Sequence, residues 1–199
     1  MHPNPAFRSD DRRLLEALVE EIGFGMIFAA VPDGPRVAHT PFVSTGDGAI
    51  HFHLARSNAL TAHLDGQTAL ALVNGPEGYV SPRWYADTEQ VPTWNYVAVE
   101  IEGRVRRMDQ EGLTALLEAL TEREEARVTV GEPWTLAKMP QGKLRAMMTA
   151  IVGFELEVRA WRPTIKLSQN KPAAERERVA EGLDRQGSQA LAELMRRLP

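Results

Sequence analysis

The apolar residues of this chain change period several times, and each change predicts a new element. Leu14, Leu15, Leu18, Val19 and Ile22 recur at helical spacing. Ser9 is placed to cap that helix, with Asp10 and Asp11 near its positive end, and Gly23 and Gly25 to end it. Residues 26–31 and 36–43 read as two strands around the turn Pro32-Asp33-Gly34-Pro35. After Gly46-Asp47-Gly48 the period becomes two: Ile50, Phe52 and Leu54 alternate with His51 and His53. Asn58 to Leu64 suits a short helix and residues 68–73 a mostly apolar strand. Alternation returns from Val97 to Val105, where Val97, Val99, Ile101 and Val105 face away from Glu100, Glu102 and Arg104. Asp109 can cap a helix carrying Leu113, Leu116, Leu117 and Leu120, and a second helix covers 144–150. Val152, Phe154, Leu156, Val158 and Ala160 mark a late strand, 164–167 a further short one, and Pro172 opens a charged helical tail. Many short strands with few long helices among them predict a β-barrel decorated by helices.

Composition narrows the function classes. The chain has 199 residues, enough for one well-buried core with a small helical appendage. It has no cysteine, which excludes disulfides, thiolate metal sites and a thiol nucleophile. Its net charge of −4 gives no global positive field for nucleic acid or anionic lipid. Met1-His2-Pro3-Asn4-Pro5 lacks the basic and apolar regions of a secretory signal, and no apolar stretch approaches the roughly 20 residues a membrane helix needs. The expectation is a cytoplasmic protein with no membrane association.

One stretch departs from ordinary strand material. In Gly78-Tyr79-Val80-Ser81-Pro82-Arg83-Trp84-Tyr85 and Val91-Pro92-Thr93-Trp94-Asn95-Tyr96, tryptophan and tyrosine rings alternate with prolines and short hydrogen-bonding side chains. Either the rings fill a core-lining loop, or they wall a site for a planar ligand with polar edges. Arg56-Ser57-Asn58 follows a strand and precedes the expected helix, which suits either an ordinary N-cap or a phosphate met by a guanidinium, a hydroxyl and an amide. Lys166-Leu167-Ser168-Gln169-Asn170-Lys171 is either a solvated linker or a polar wall for an anion, with Lys166 giving charge and Gln169 and Asn170 directional bonds. His39, His51, His53 and His63 lack recognisable ligand spacing with any carboxylate, so no metal site is expected. Dinucleotide-binding, phosphate-loop and nucleophile-elbow motifs are absent.

Taken in order, these segments resemble the PaiB family of FMN-binding negative transcriptional regulators, also called protease synthase and sporulation negative regulatory proteins. The matching residues are His39-Thr40-Pro41-Phe42, His53-Leu54-Ala55-Arg56-Ser57-Asn58, the two aromatic runs, Ile151-Val152-Gly153 and Lys166-Leu167-Ser168-Gln169-Asn170. The resemblance implies a mainly β, α+β fold: a split β-barrel of FMN-binding type with peripheral helices. It implies a barrel domain over 1–170 and a helical extension over 171–199 that packs on the barrel or on a dimer partner. It implies FMN at the interface of a homodimer, with the phosphate near Arg56 and Asn58. The implied cofactor-binding residues are His39, Thr40, Pro41, His53, Arg56, Ser57, Asn58, Ser81, Trp84, Tyr85, Thr93, Trp94, Asn95, Lys166, Gln169 and Asn170. Ala59 stands where the family has proline, and Leu120-Thr121-Glu122-Arg123-Glu124-Glu125 replaces its aspartate and histidine with glutamates.

The family label makes the chain a regulator. With 23 Lys and Arg against 27 Asp and Glu, and no basic stripe, repression would run through a protein partner or a small metabolite and not through strong direct DNA binding. Two other readings stay open. One is an FMN-dependent oxidoreductase, of flavin reductase or pyridoxamine-phosphate-oxidase type, whose catalytic residues the sequence does not name. The other is a haem- or other ligand-handling protein on the same barrel with a histidine as axial ligand.

Overall fold

A computed structural model describes residues 3–87 and 89–197. Met1 and His2, on which part of the signal-sequence expectation fell, lie outside the described residues. Among the described residues the chain forms a seven-stranded sheet in the order β2-β1-β5-β6-β7-β4-β3. The strands are β1 (Phe24–Val31), β2 (Gly34–Pro41), β3 (Val43–Ser44), β4 (Ala49–Ala55), β5 (Thr68–Val80), β6 (Thr93–Arg107) and β7 (Ile151–Lys166). The helices are α1 (Arg12–Ile22), α2 (Gln110–Glu125), α3 (Gln141–Met148), α4 (Ala173–Arg185) and α5 (Gln189–Arg197). Two compact units share these elements: residues 3–15, 74–99 and 162–197 form the first, and residues 16–73 and 100–161 the second.

In the second unit the two-residue period of β4 buries Ile50, Phe52 and Leu54. Antiparallel pairing sets Phe52 opposite Phe154 of β7, and their rings stack with centroids 5.4 Å apart. Phe42 meets Phe52 edge-on, at 6.3 Å. Gly25 is required by that packing: a Cβ there would lie 2.3 Å from the Phe42 ring and 2.5 Å from the Leu72 carbonyl oxygen. Arg123 of α2, mostly buried, donates to the Phe42 carbonyl at 2.6 Å and pairs with Glu20 at 3.3 Å. The glutamate-rich end of α2 therefore ties that helix to the corner after α1.

In the first unit α4 and α5 pack against each other, and their buried face carries Val179, Ala180, Leu183, Leu191, Ala192 and Met195. Arg196 bridges the pair by bonds to Glu177 at 2.9 Å and Asp184 at 2.8 Å. Their shared face packs on the aromatic segment at Gly78 and Trp84. A Cβ at Gly78 would meet Leu183 and Leu191 at 2.9 and 3.0 Å, and one at Gly182 would meet the Trp84 indole at 2.3 Å.

Several sequence expectations need correction. The first helix is capped by Asp11, whose Oδ1 accepts the Leu14 N–H at 3.2 Å; Ser9 bonds Asp11 itself. Residues 56–63 are successive turns and not a helix. The strands expected at 68–73 and 97–105 are longer, and those at 152–160 and 164–167 are one continuous β7. The helical tail is two helices, broken at Gly187, where φ is +85°.

Candidate functional site

The residues singled out in the sequence fall into two groups, one in each unit. In the second unit, β2 and β4 carry His39, Thr40, Pro41 and His53. Thr40 is buried and its hydroxyl donates to the His53 carbonyl at 2.7 Å, fixing the end of β2 against β4. His39 is exposed on β2, opposite Met26. His53 sits opposite Gly153, and its ring Nδ1 is buried with no hydrogen-bond partner among the described residues. Burial holds this imidazole below its ordinary pKa, because the charged form is the one that loses hydration.

Immediately after β4 the chain turns. The Arg56 N–H donates to the Ala150 carbonyl at 2.8 Å, and its guanidinium to the carbonyls of Thr149 at 2.7 Å and Ile151 at 3.4 Å. These bonds anchor Arg56 to the start of β7 while the residue stays exposed. Asn58 uses its side-chain oxygen to accept the Leu60 N–H at 2.9 Å, and Ser57 is exposed. Because no helix follows, the helix-terminus contribution expected for a phosphate is missing here. What remains for an oxyanion is the charge of Arg56, the Ser57 hydroxyl and the Asn58 amide. A strand-end turn with an exposed guanidinium and hydroxyl, closely following in sequence a histidine whose buried ring nitrogen lacks a partner among the described residues, fits a phosphorylated cofactor.

The second group lies in the first unit. Tyr85, Thr93, Asn95, Lys166 and Asn170 line one cavity of about 270 Å³. Asn95 is fully buried and donates to Ser168 Oγ at 2.9 Å and to the Met195 sulfur at 3.4 Å. Lys166 donates to the Thr93 hydroxyl and, at 2.6 Å, to the Trp94 carbonyl. Desolvation lowers the Lys166 pKa. Burial raises that of the Tyr85 phenol; the Glu175 carboxylate adds to the rise and the Ser168 hydroxyl opposes it.

Four candidates of this group do not line the cavity. Ser81 accepts the Arg83 N–H at 3.3 Å as the cap of a 3-10 turn over Pro82–Trp84. Trp84 packs on α4. Trp94, half-exposed, meets Tyr79 edge-on with centroids 6.2 Å apart and borders a separate hollow with Asn74, Glu77 and Tyr96. Gln169 turns its amide onto its own backbone, accepting the Leu167 N–H at 2.7 Å and donating to the Ile165 carbonyl. Sequence reasoning passed over Ser168 and Lys171, which do line the cavity. Both lay inside the polar run after β7. Among the described residues Ser168 is the only non-glycine residue at positive φ, +61°, which no periodicity argument detects.

Comparison with known proteins gives the family and the fold. Residues 1–160 match the family described as "Putative FMN-binding domain". The chain is 28% identical to the protease synthase and sporulation protein PAI 2 of Bacillus subtilis, over 89% of this chain and 87% of that one. Among solved structures it is similar to the flavocytochrome Anf3 of Azotobacter vinelandii, with a TM-score of 0.64 and 15% identity over 88% of this chain and 77% of that one. It is also similar to the FAD and haem binding protein of Mycobacterium smegmatis, with a TM-score of 0.62 and 17% identity over 84% and 77%. At such identities these likenesses establish the fold, the α+β split barrel implied by the motifs. Among the described residues no helix is long and apolar enough to cross a membrane. The family model and the motif order together identify the cofactor as FMN, and the chain belongs to the PaiB-type FMN-binding family.

Proposed function

We propose that this protein is a cytoplasmic, homodimeric FMN binder that acts as a negative regulator of PaiB type, through a protein partner or a small metabolite and without strong direct DNA contact. The regulatory part follows from likeness to the Bacillus subtilis protease synthase and sporulation protein PAI 2. The observation that carries the placement of the flavin phosphate is the turn after β4, where exposed Arg56 and Ser57 follow His53, whose buried ring nitrogen has no partner among the described residues. In this reading Arg56, Ser57 and the Asn58 amide hold the phosphate, and His53 Nδ1 gains a polar neighbour from the ligand. Thr40 keeps β2 in place through its bond to the His53 carbonyl. FMN, when bound, supplies one- and two-electron redox chemistry, and the protein supplies position and charge. Residues 171–199 act as the extension that holds the aromatic segment, a role supported by Gly182 against Trp84 and by Glu175 accepting the Ala86 N–H at 3.0 Å.

The decisive experiment compares FMN with riboflavin, which lacks the phosphate. Wild-type protein should bind FMN at least about tenfold more tightly, and Arg56→Ala should erase most of that preference. Equal affinity for the two flavins would remove the phosphate from this turn. A second reading, an FMN-dependent oxidoreductase of flavin reductase or pyridoxamine-phosphate-oxidase type, is favoured by the cavity of about 270 Å³, which offers room for a small substrate. Anaerobic bleaching of the bound flavin by NADH or NADPH at turnover rates would select it over the binder.

A further inference from the structure

We propose that the cavity lined by Lys166 and Lys171 is a binding site for a small organic anion, a carboxylate or a phosphate monoester carried on an apolar or aromatic body. Its lining contains, among the described residues, two ammonium groups and no carboxylate. Among the described residues neither lysine forms an ion pair. Lys166 donates to the Thr93 hydroxyl and the Trp94 carbonyl, and Lys171 donates to Gln90 Oε1 at 2.6 Å. Besides these neutral oxygens, Lys166 lies 5.8 Å from the centre of the Phe7 ring and Lys171 5.6 Å from that of Tyr85. Oxygens and ring faces solvate the two ammonium groups without neutralising them, and a partly buried cation gains from an anion that joins it.

The nearby acids are otherwise occupied. Asp87 feels the charge of Lys171, but it accepts the Glu89 N–H at 2.9 Å and the Gln90 amide. Glu175 acts on Tyr85 and accepts the Ala86 N–H at 3.0 Å. Directional groups complete the site. Asn170 reaches the lining, and Ser168 is held at φ +61° with its hydroxyl on the Asn95 amide. A non-glycine residue kept in that region is a place where structure is maintained against a local cost. The same lining holds Phe7, Val91 and the ring of Tyr85, so apolar surface for a flat body adjoins the two ammonium groups.

The volume of about 270 Å³ sits at the small end of ligand sites. The inference rests on the flavin reading in one respect: FMN has a single phosphate, assigned to the Arg56 turn, so the lysine pair is left for a second ligand.

Phenyl phosphate and benzoate serve as probes, with benzyl alcohol as the neutral control, each titrated calorimetrically into full-length protein with and without FMN. At least one anion should saturate in about the millimolar range while the alcohol does not. Lys171→Met and Lys166→Met should each weaken that anion about tenfold, and Lys171→Met should leave FMN affinity within about threefold of wild type. Lys171 lies outside the sheet, so its variant remains informative if Lys166→Met fails to fold. Binding of phenyl phosphate alone identifies a phosphate monoester as the class of ligand, and of benzoate alone a carboxylate. Anion binding without FMN binding would sink the flavin assignment and leave this site standing. The proposal is overturned if neither anion binds at about 10 mM, if the alcohol binds equally well, or if FMN displaces the anion.

Discussion

Replacing Gly182 by alanine separates two physical expectations of opposite sign. Gly182 is an interior, buried residue of α4, where alanine is favoured over glycine by about 0.8–1 kcal/mol of helix propensity. Yet a Cβ at this position would lie 2.3 Å from Trp84 Cδ2 and 2.7 Å from Cε2 and Cε3, against 3.4–4 Å for ordinary contact. The ring or the helix must therefore move by about 1 Å, the kind of overpacking that costs about 1–3 kcal/mol in a packed interior. Sterics win because a fused ring has no flexible end to swing aside. With the overpacking cost in the middle of that range or above, the expected net loss is about 1–2 kcal/mol, read as a lower urea midpoint by far-ultraviolet circular dichroism with an unchanged slope. A double-mutant cycle sharpens the test: in a Trp84→Ala background, Gly182→Ala should become neutral or stabilising. Gly182→Ala that is as stable as wild type, or equal in its effect in both backgrounds, would falsify the close-approach argument.

Four other outcomes are expected. Arg56→Ala should weaken FMN by about 1.5–3 kcal/mol, or roughly tenfold to a hundredfold, with Arg56→Lys recovering part of it; a fluorescence titration reporting an unchanged dissociation constant for Arg56→Ala would show the side chain serves only its two carbonyls. Burial depresses the His53 pKa, so the unfolded chain takes up the proton first as pH falls below the ordinary value of 6.5. The apo protein should then lose stability between about pH 6.5 and 5, and His53→Gln should lose less over the same interval, as followed by thermal melts. Sedimentation at micromolar concentration should show a species of twice the 22.1 kDa chain mass, and a boundary at that mass alone would count against the homodimer. Anisotropy assays on genomic fragments should find no sequence-selective, salt-dependent complex at nanomolar protein, because cations such as Arg106, Arg127 and Arg196 are already paired with Glu157, Glu124, Glu177 and Asp184.

Where sequence and structure agree or part is explained by what each pattern reports. Alternation at Ile50, Phe52 and Leu54 placed β4 correctly because that strand buries one face along its whole length. Strand ends were misjudged where proline and glycine look like terminators. Pro76 lies inside β5 and Pro163 inside β7. The register of β1 with β5 ends at Leu72, and that of β4 with β7 at Glu157. Both prolines thus lie past the end of one neighbouring strand, where a missing N–H forfeits no ladder bond on that side. The segment 58–64 misled for a different reason. Leu60 and Leu64 are four apart and both fully buried, which mimics a helical face. The backbone instead closes four-residue turns, the N–H groups of Asn58, Thr61 and His63 each bonding the carbonyl three residues back, with the Asn58 side chain capturing the Leu60 N–H.

The candidate residues show the same limit at the level of chemistry. Residue type and order revealed that a polar, aromatic-rich region exists, because prolines and amides interleaved with rings make poor strand material. They could not say which side chains stay free for a ligand, since that depends on what the backbone consumes. Gln169 is adjacent to Ser168 and chemically better suited to ligand binding, yet its amide is spent on Ile165 and Leu167. Ser168 reaches the cavity only because the chain adopts φ +61° there, with Asn95 fixed behind it. Lys171 lines the same space just before Pro172, the N-cap of α4, whose ring restricts the backbone of the preceding residue. A ligand wall in this fold is thus a residue of backbone accounting: the polar groups that β7 and α4 do not use at their ends are the ones that remain to meet an anion.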